Sequence, residues 1–282
     1  MFGVATYHEP AAFLEHAGDW LLRREDCHNL FLTLSHARAD SGWAEDGTMW
    51  AVVEREGRVL GCALRLPPYK ALLTDVPAGA LPALTRSFAN RFEQLPAVCG
   101  PVEAAERFAT HWVELRGGGW QRGMEQGVYR LDKVDRPRGA PGRMRLARPD
   151  DSHIAIDWGR AFARETGVTF PTAIRVVDAW IRLGFLFVWE DRGRPVSIAV
   201  AHGRTRRGVR IGYVYTPPEE RSRGYASALV AEVSEGMLDQ GYEFCVLYAD
   251  LANATSNAIY RSIGYRLIER VCDVDLVPRR GG

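Results

Sequence analysis

Residues 208–237 read GVRIGYVYTPPEERSRGYASALVAEVSEGM and carry the side chains best suited to binding an anion. The β-branched and aromatic run 209–215 predicts a strand, and Thr216-Pro217-Pro218 must end it because proline gives no donor to a ladder. Behind the prolines, Ala226, Leu229, Val230, Val233 and Met237 recur at helical spacing, so a helix is expected from near Arg223. Arg221, Ser222, Arg223, Gly224, Tyr225 and Ala226 then stand at a helix entrance, where backbone N–H groups lack partners and the helix dipole is positive. Gly224 has no side chain to obstruct an approaching anion and Ala226 almost none, while Arg221 and Arg223 add full charges. Donors supplied by a concave stretch of backbone suit a pyrophosphate better than a single carboxylate. No GK[ST] or GxGxxG accompanies the segment, so nucleotide hydrolysis and dinucleotide binding are poorly supported.

A second pattern follows the apolar run 244–248: ADLANATSNAIYRSIGYRLIE. Asn253 fits a helix cap, and Tyr260, seven residues on, falls about two turns later on the same face. Strand, proline, RxxGxA, helix, strand, then Asn with Tyr behind it and Ile-Gly-Tyr after that: the joint pattern resembles the GCN5-related N-acetyltransferase family. The resemblance covers residues 144–276 in element order and is specific within 214–226 and 253–265.

That resemblance implies acetyl-coenzyme A as cosubstrate, lying in a cleft where the fourth and fifth strands splay apart, with no metal. The backbone of Val214, Tyr215 and Thr216 would pair with the pantetheine arm. Arg221, Ser222, Arg223, Gly224, Tyr225 and Ala226 would hold the pyrophosphate, and Asn253 would contact the arm. Tyr260 would be the general acid for the sulfur; a phenol of pKa near ~10 is protonated at neutral pH and can give its proton to a departing thiolate. Some members carry a glutamate on the fourth strand, but residues 209–213 read VRIGY and offer no carboxylate. Glu165, beside Thr166-Gly167 at a helix end, is the candidate base, with water-mediated deprotonation or His202 as alternatives. His202, ending the preceding strand, reads more simply as a hydrogen-bonded surface histidine.

The elements that must position these residues recur twice. In the second half, helices near 150–165 and 172–183 lead to a strand-turn-strand unit at 185–203, a third strand, a helix, a strand at 244–250, a helix at 254–262 and a final strand at 265–276. The first half repeats the order: helical patterns across 10–39, strand-turn-strand at 49–66, YKALLT, a helix near 78–94, PAVCG, a helix near 102–115 and an alternating segment at 123–134. Between them 135–149, DRPRGAPGRMRLARP, has linker composition. The expected fold is α/β (α+β): two tandem GNAT-like domains, each with a mixed, mostly antiparallel sheet flanked by helices. They would span 1–134 and 150–282, joined by 135–149. The first copy lacks arginines at its equivalent entrance and places Asp75 there, so it is expected to be a non-catalytic partner without a cradle.

The 282 residues carry a formal net charge of +1, which gives no whole-molecule field to attract nucleic acid or anionic lipid. No apolar run approaches the roughly 18 to 20 residues of a membrane span, and residues 1–10 lack the basic start and apolar core of a secretory signal. A cytoplasmic protein is expected, monomer or homodimer, acting on a small-molecule amine. Five dispersed cysteines without a CxxC pair read as reduced thiols buried in strands. Trp43, Trp50, Trp112 and Trp120 read as core. Two other functions stay open: a non-catalytic acyl-coenzyme A sensor that presents a surface to a partner, and a di- or triphosphate-binding module.

Overall fold

A computed structural model describes residues 2–41, 47–137, 139–168 and 174–279. They form two compact units. One comprises Met1–Val128, Asp250–Ala252 and Ile268–Gly282; the other comprises Tyr129–Ala249 and Asn253–Leu267.

In the first unit the chain runs through β1 (Gly3–Tyr7), α1 (Pro10–Leu22), α2 (Asn29–Ser41), β2 (Met49–Arg55), β3 (Arg58–Arg65), β4 (Ala71–Leu73), α3 (Leu81–Arg91), β5 (Ala97–Pro101), α4 (Val102–Arg116) and β6, which extends over Gly119–Leu131. Both faces of β2 are buried, the pattern of a strand covered by helices on each side. Trp50 and Val52 pack with Phe13, Leu21 and Phe31 from α1 and α2. Met49, Ala51 and Val53 share a core with Leu84, Phe88, Phe108 and Trp112 from α3 and α4. Each such large apolar side chain contributes roughly 1.5–3 kcal/mol on burial.

The chain's last strand, β12 (Arg266–Val277), was expected to close the second copy. It instead pairs antiparallel with β5, Val274 opposite Val98, and inserts Cys272, Val274 and Leu276 into the first unit's core. The alternation of these residues with Asp273 and Asp275 is what a strand with one covered face requires. β4 and β5 run parallel at Ala71 and Leu72 and then stay together: a Cβ on Gly100 would lie 2.9 Å from the Leu73 carbonyl oxygen. Beyond β4 the chain follows β3, with the Thr74 N–H donating to the Cys62 carbonyl at 2.9 Å. No gap opens between these strands at the end where the second unit has one.

The second unit holds β7 (Arg143–Leu146), α5 (Ser152–Thr166), α6 (Ile174–Arg182), β8 (Leu186–Asp191), β9 (Arg194–His202), β10 (Gly208–Tyr215), α7 (Tyr225–Asp239), β11 (Phe244–Asp250) and α8 (Ala254–Ile263). Its strands lie in the order β11-β10-β9-β8-β7, antiparallel except for the β10–β11 pair. Ala155, Ile156 and Val177 of α5 and α6 cover one face through Leu186, Val188, Ile198, Val200 and Tyr215. α7 packs on β8, β9 and β10 with Leu229, Val230, Val233 and Met237 buried, the stripe read from the sequence. Residues 135–149 are only partly a linker: Arg143–Leu146 pairs with β8, Arg145 opposite Val188. The basic composition that suggested solvated chain is neutralised, since Arg145 donates to Asp151 and Glu190, each at 2.6 Å.

All five cysteines are free thiols, and Cys27 lies between α1 and α2 rather than in a strand. Trp50 and Trp112 are core residues, but Trp120 is 38% exposed, and Trp43 lies outside the described residues. Among the described residues no helix is long and apolar enough to cross a membrane, and no group of three or more His, Cys, Asp or Glu is placed to hold a metal ion.

Candidate functional site

The second unit's sheet opens where β10 leaves β11. The two strands pair only from Gly208 opposite Phe244 to Arg210 opposite Val246. On its other side β10 pairs with β9 at Arg210, Ile211 and Gly212, then shifts register before Tyr215 meets Ile198. The cause is a bulge at Tyr213, whose φ of +52° is unusual for a bulky side chain and bends the strand away from its parallel neighbour. Val214 is thereby released from the β9 ladder. Tyr215 is held: Ser197 Oγ donates to its carbonyl at 3.0 Å and meets Thr216 Oγ1 at 2.9 Å.

Beyond Pro217 the loop turns through two left-handed residues, Ser222 at φ +63° and Gly224 at φ +81°, and enters α7 with Gly224 as its cap. No side chain caps this helix. Among the described residues, the amide N–H groups of 222–227 have no hydrogen-bond partner. A Cβ on Gly224 would meet only Ala140 Cβ at 3.7 Å, so the space over these donors is open. Arg221, Ser222, Arg223 and Gly224 are exposed and Ala226 is half-buried. A mouth lined by unsatisfied N–H groups with a left-handed glycine at its centre fits a diphosphate.

Four of the candidate side chains have partners within the protein. The Arg221 guanidinium is committed to Glu165, at 2.9 and 2.7 Å, and to the Thr216 carbonyl at 2.9 Å. Glu165 in turn accepts from the Tyr215 hydroxyl at 3.0 Å, and burial together with this carboxylate raises the Tyr215 pKa. Glu165 thus joins the loop at Arg221 to the strand at Tyr215. Arg223 pairs with Glu220 at 2.8 Å, and Tyr225 is buried with its hydroxyl on Asp191 at 2.8 Å, which fastens the helix entrance to the β8–β9 turn.

On the other side of the opening, Asn253 caps α8 by accepting from the Ser256 N–H at 3.0 Å, and its carbonyl accepts from Asn257 Nδ2 at 2.8 Å. Tyr129, at the end of β6, donates to Asn257 Oδ1 at 2.8 Å, and its ring lies 6.5 Å from that of Tyr260. Tyr260 also packs edge-on to Tyr265 at 6.1 Å. Burial pushes the Tyr260 phenol up to about 12, so it is a proton donor throughout the neutral range. Gly264 ends α8 at φ +106°, where a Cβ would come within 2.9 Å of the Lys133 carbonyl, which is why glycine stands between Ile263 and Tyr265. Tyr129, Asn257, Asp191 and Ser197 were not found by sequence reasoning; Asn257, one turn after the cap, was the only one with a local signal.

The strand bulge, the parallel pair that parts and the uncapped glycine-led helix entrance belong to a fold that the comparisons show to be that of the GCN5-related N-acetyltransferases. The FR47-like protein family model matches residues 193–274. A GCN5-related N-acetyltransferase from Sphaerobacter thermophilus superposes with a TM-score of 0.63 at 16% identity, covering 99% of this chain and 96% of that one. A tandem GNAT protein from the clavulanic acid biosynthesis pathway covers 100% of both chains with a TM-score of 0.56 at 15% identity. A GNAT-family acetyltransferase from Colwellia psychrerythraea gives 0.58 at 10% identity, over 98% of this chain and 100% of that one. No curated protein matches the sequence.

Proposed function

We propose that the second unit transfers an acetyl group from acetyl-coenzyme A to the amine of a small molecule by direct attack. The observation that carries this reading is the run of unpartnered N–H groups at 222–227 over an open Gly224, beside a strand that has parted from its neighbour. The pyrophosphate would rest on those donors, the pantetheine arm along Val214, Tyr215 and Thr216, and the thioester between the bulge and Tyr260. Asn253 would face the arm from α8. Amine nitrogen forms the new bond to the acetyl carbon while the carbon–sulfur bond breaks, and Tyr260 supplies the proton to sulfur. The first unit would take no donor: its β4 and β5 do not part, and Phe2 lies 3.2 Å from the position of a Cβ on Gly79 ahead of α3.

Thiol release from acetyl-coenzyme A in the presence of a panel of primary amines tests the proposal. Amine-dependent release accompanied by a mass shift of the amine is the expected result. Tight binding of acetyl-coenzyme A with no turnover on any amine would instead support an acyl-coenzyme A sensor.

A further inference from the structure

Acetyl transfer to an amine leaves a proton to be removed, and Glu165 is engaged elsewhere. We propose that His202 is the general base, its Nε2 receiving the proton of the attacking amine on the α5–α6 face of β10. The inference rests on the acetyl-transfer reading of the same cleft. His202 ends β9 directly opposite Arg210. A Cβ on Gly212 would lie 3.2 Å from His202 Nε2, so the imidazole of the neighbouring strand fills the volume where β10 offers no side chain of its own. That place is one residue before the bulge and just beyond the last β10–β11 pair.

The ring is held by stacking rather than by hydrogen bonds. It lies on Tyr213 with centroids 5.2 Å apart at 27°, and Trp180 of α6 packs on it at 6.0 Å. Phe162 of α5 supports Tyr213 from the side at 5.8 Å. Among the described residues neither ring nitrogen of His202 has a hydrogen-bond partner, whereas the Nδ1 of His28 lies 2.9 Å from the Leu21 carbonyl. The surface histidine expected from the sequence is therefore a partly buried one with its nitrogens available.

The charged and titratable groups facing it are Arg210 and Tyr213 from β10, with Tyr248 of β11 reaching Arg210; α6 brings only the uncharged Trp180. Burial first, and Arg210 second, hold the imidazole well below its usual value. It is therefore neutral at physiological pH and competent as an acceptor. In the step itself the nitrogen–carbon bond forms, the carbon–sulfur bond breaks, the amine proton passes to Nε2 with Nδ1 already protonated, and Tyr260 protonates the thiolate. Beside Arg210 the imidazolium gives its proton readily to water, which restores the base, and the Tyr260 phenolate takes a proton back from water, which restores the acid.

Three full-length proteins, wild type, His202→Gln and His202→Phe, decide the matter, with acetyl-coenzyme A as the probe. In spectra of protein labelled at histidine and glycine, the histidine resonance absent from His202→Gln should shift when acetyl-coenzyme A is added, together with the Gly224 amide. A Gly224 shift without a His202 shift would overturn the base and leave the donor site standing; no shift at either would overturn both. On the fastest amine of the panel, both variants should bind acetyl-coenzyme A as wild type does and lose about 10²-fold or more in turnover. His202→Phe keeps the ring stack, so wild-type turnover in that variant would show His202 to be a packing residue and end the proposal.

Discussion

Tyr260 and Asn253 were legible because seven residues separate them, and two helical turns return a side chain to the same face. The Arg221–Glu165 pair was not legible. Its partners stand 56 positions apart, and no local pattern ties a loop arginine to the end of a distant helix. The same holds for His202, whose proximity to Gly212 follows from strand register and not from spacing. Tyr260→Phe should lower turnover by about 10²-fold while leaving acetyl-coenzyme A affinity unchanged, as read from initial rates beside calorimetric titration. Because burial lifts this phenol to about 12, the rate should show no basic limb from it near pH 10. A limb at pH 10 that disappears in the phenylalanine variant would contradict the burial argument.

Strands and helices were readable from apolar periodicity, so α5, α7, β11 and α8 stand close to where they were expected. The bulge was not, since a left-handed Tyr213 is imposed by tertiary pairing against the preference of the residue. β7 was hidden by arginines that Asp151 and Glu190 neutralise only in the folded chain. Tyr129→Phe removes the hydroxyl that donates to buried Asn257 and should cost about 0.5–1.5 kcal/mol in denaturant unfolding; no change in midpoint would show that α8 is not anchored there. Glu165→Gln weakens an ion pair whose side chains are 44% and 42% exposed, so it should cost under ~1 kcal/mol and leave turnover almost intact. A collapse of turnover in that variant would return Glu165 to the role of base.

For the molecule as a whole, the order of elements in both halves was visible, and so was the lack of arginines at the first unit's helix entrance. The destination of β12 was not, because its pairing with β5 joins residues some 170 positions apart, where only the finished sheet supplies the information. Buried thiols and phenols give the folded protein an alkaline limit. Burial pushes Cys272 up to about 11 and Cys27, Cys245 and Tyr260 up to about 12, from ordinary values of 9.0 for thiols and 10.0 for phenols. Folded values above unfolded ones mean that stability is fully present below pH 9 and is lost as pH rises through about 11 to 12. Denaturant midpoints that stay flat from pH 8 to 11.5 would refute this. The central claim, that backbone donors around Gly224 hold a pyrophosphate, is tested most directly by titrating coenzyme A into wild type and Gly224→Asn, since asparagine tolerates left-handed backbone yet places a Cβ over the donors. The expected result is one bound coenzyme A per wild-type chain and at least tenfold weaker binding by a variant with an unchanged unfolding midpoint; equal affinity in the two proteins would contradict it.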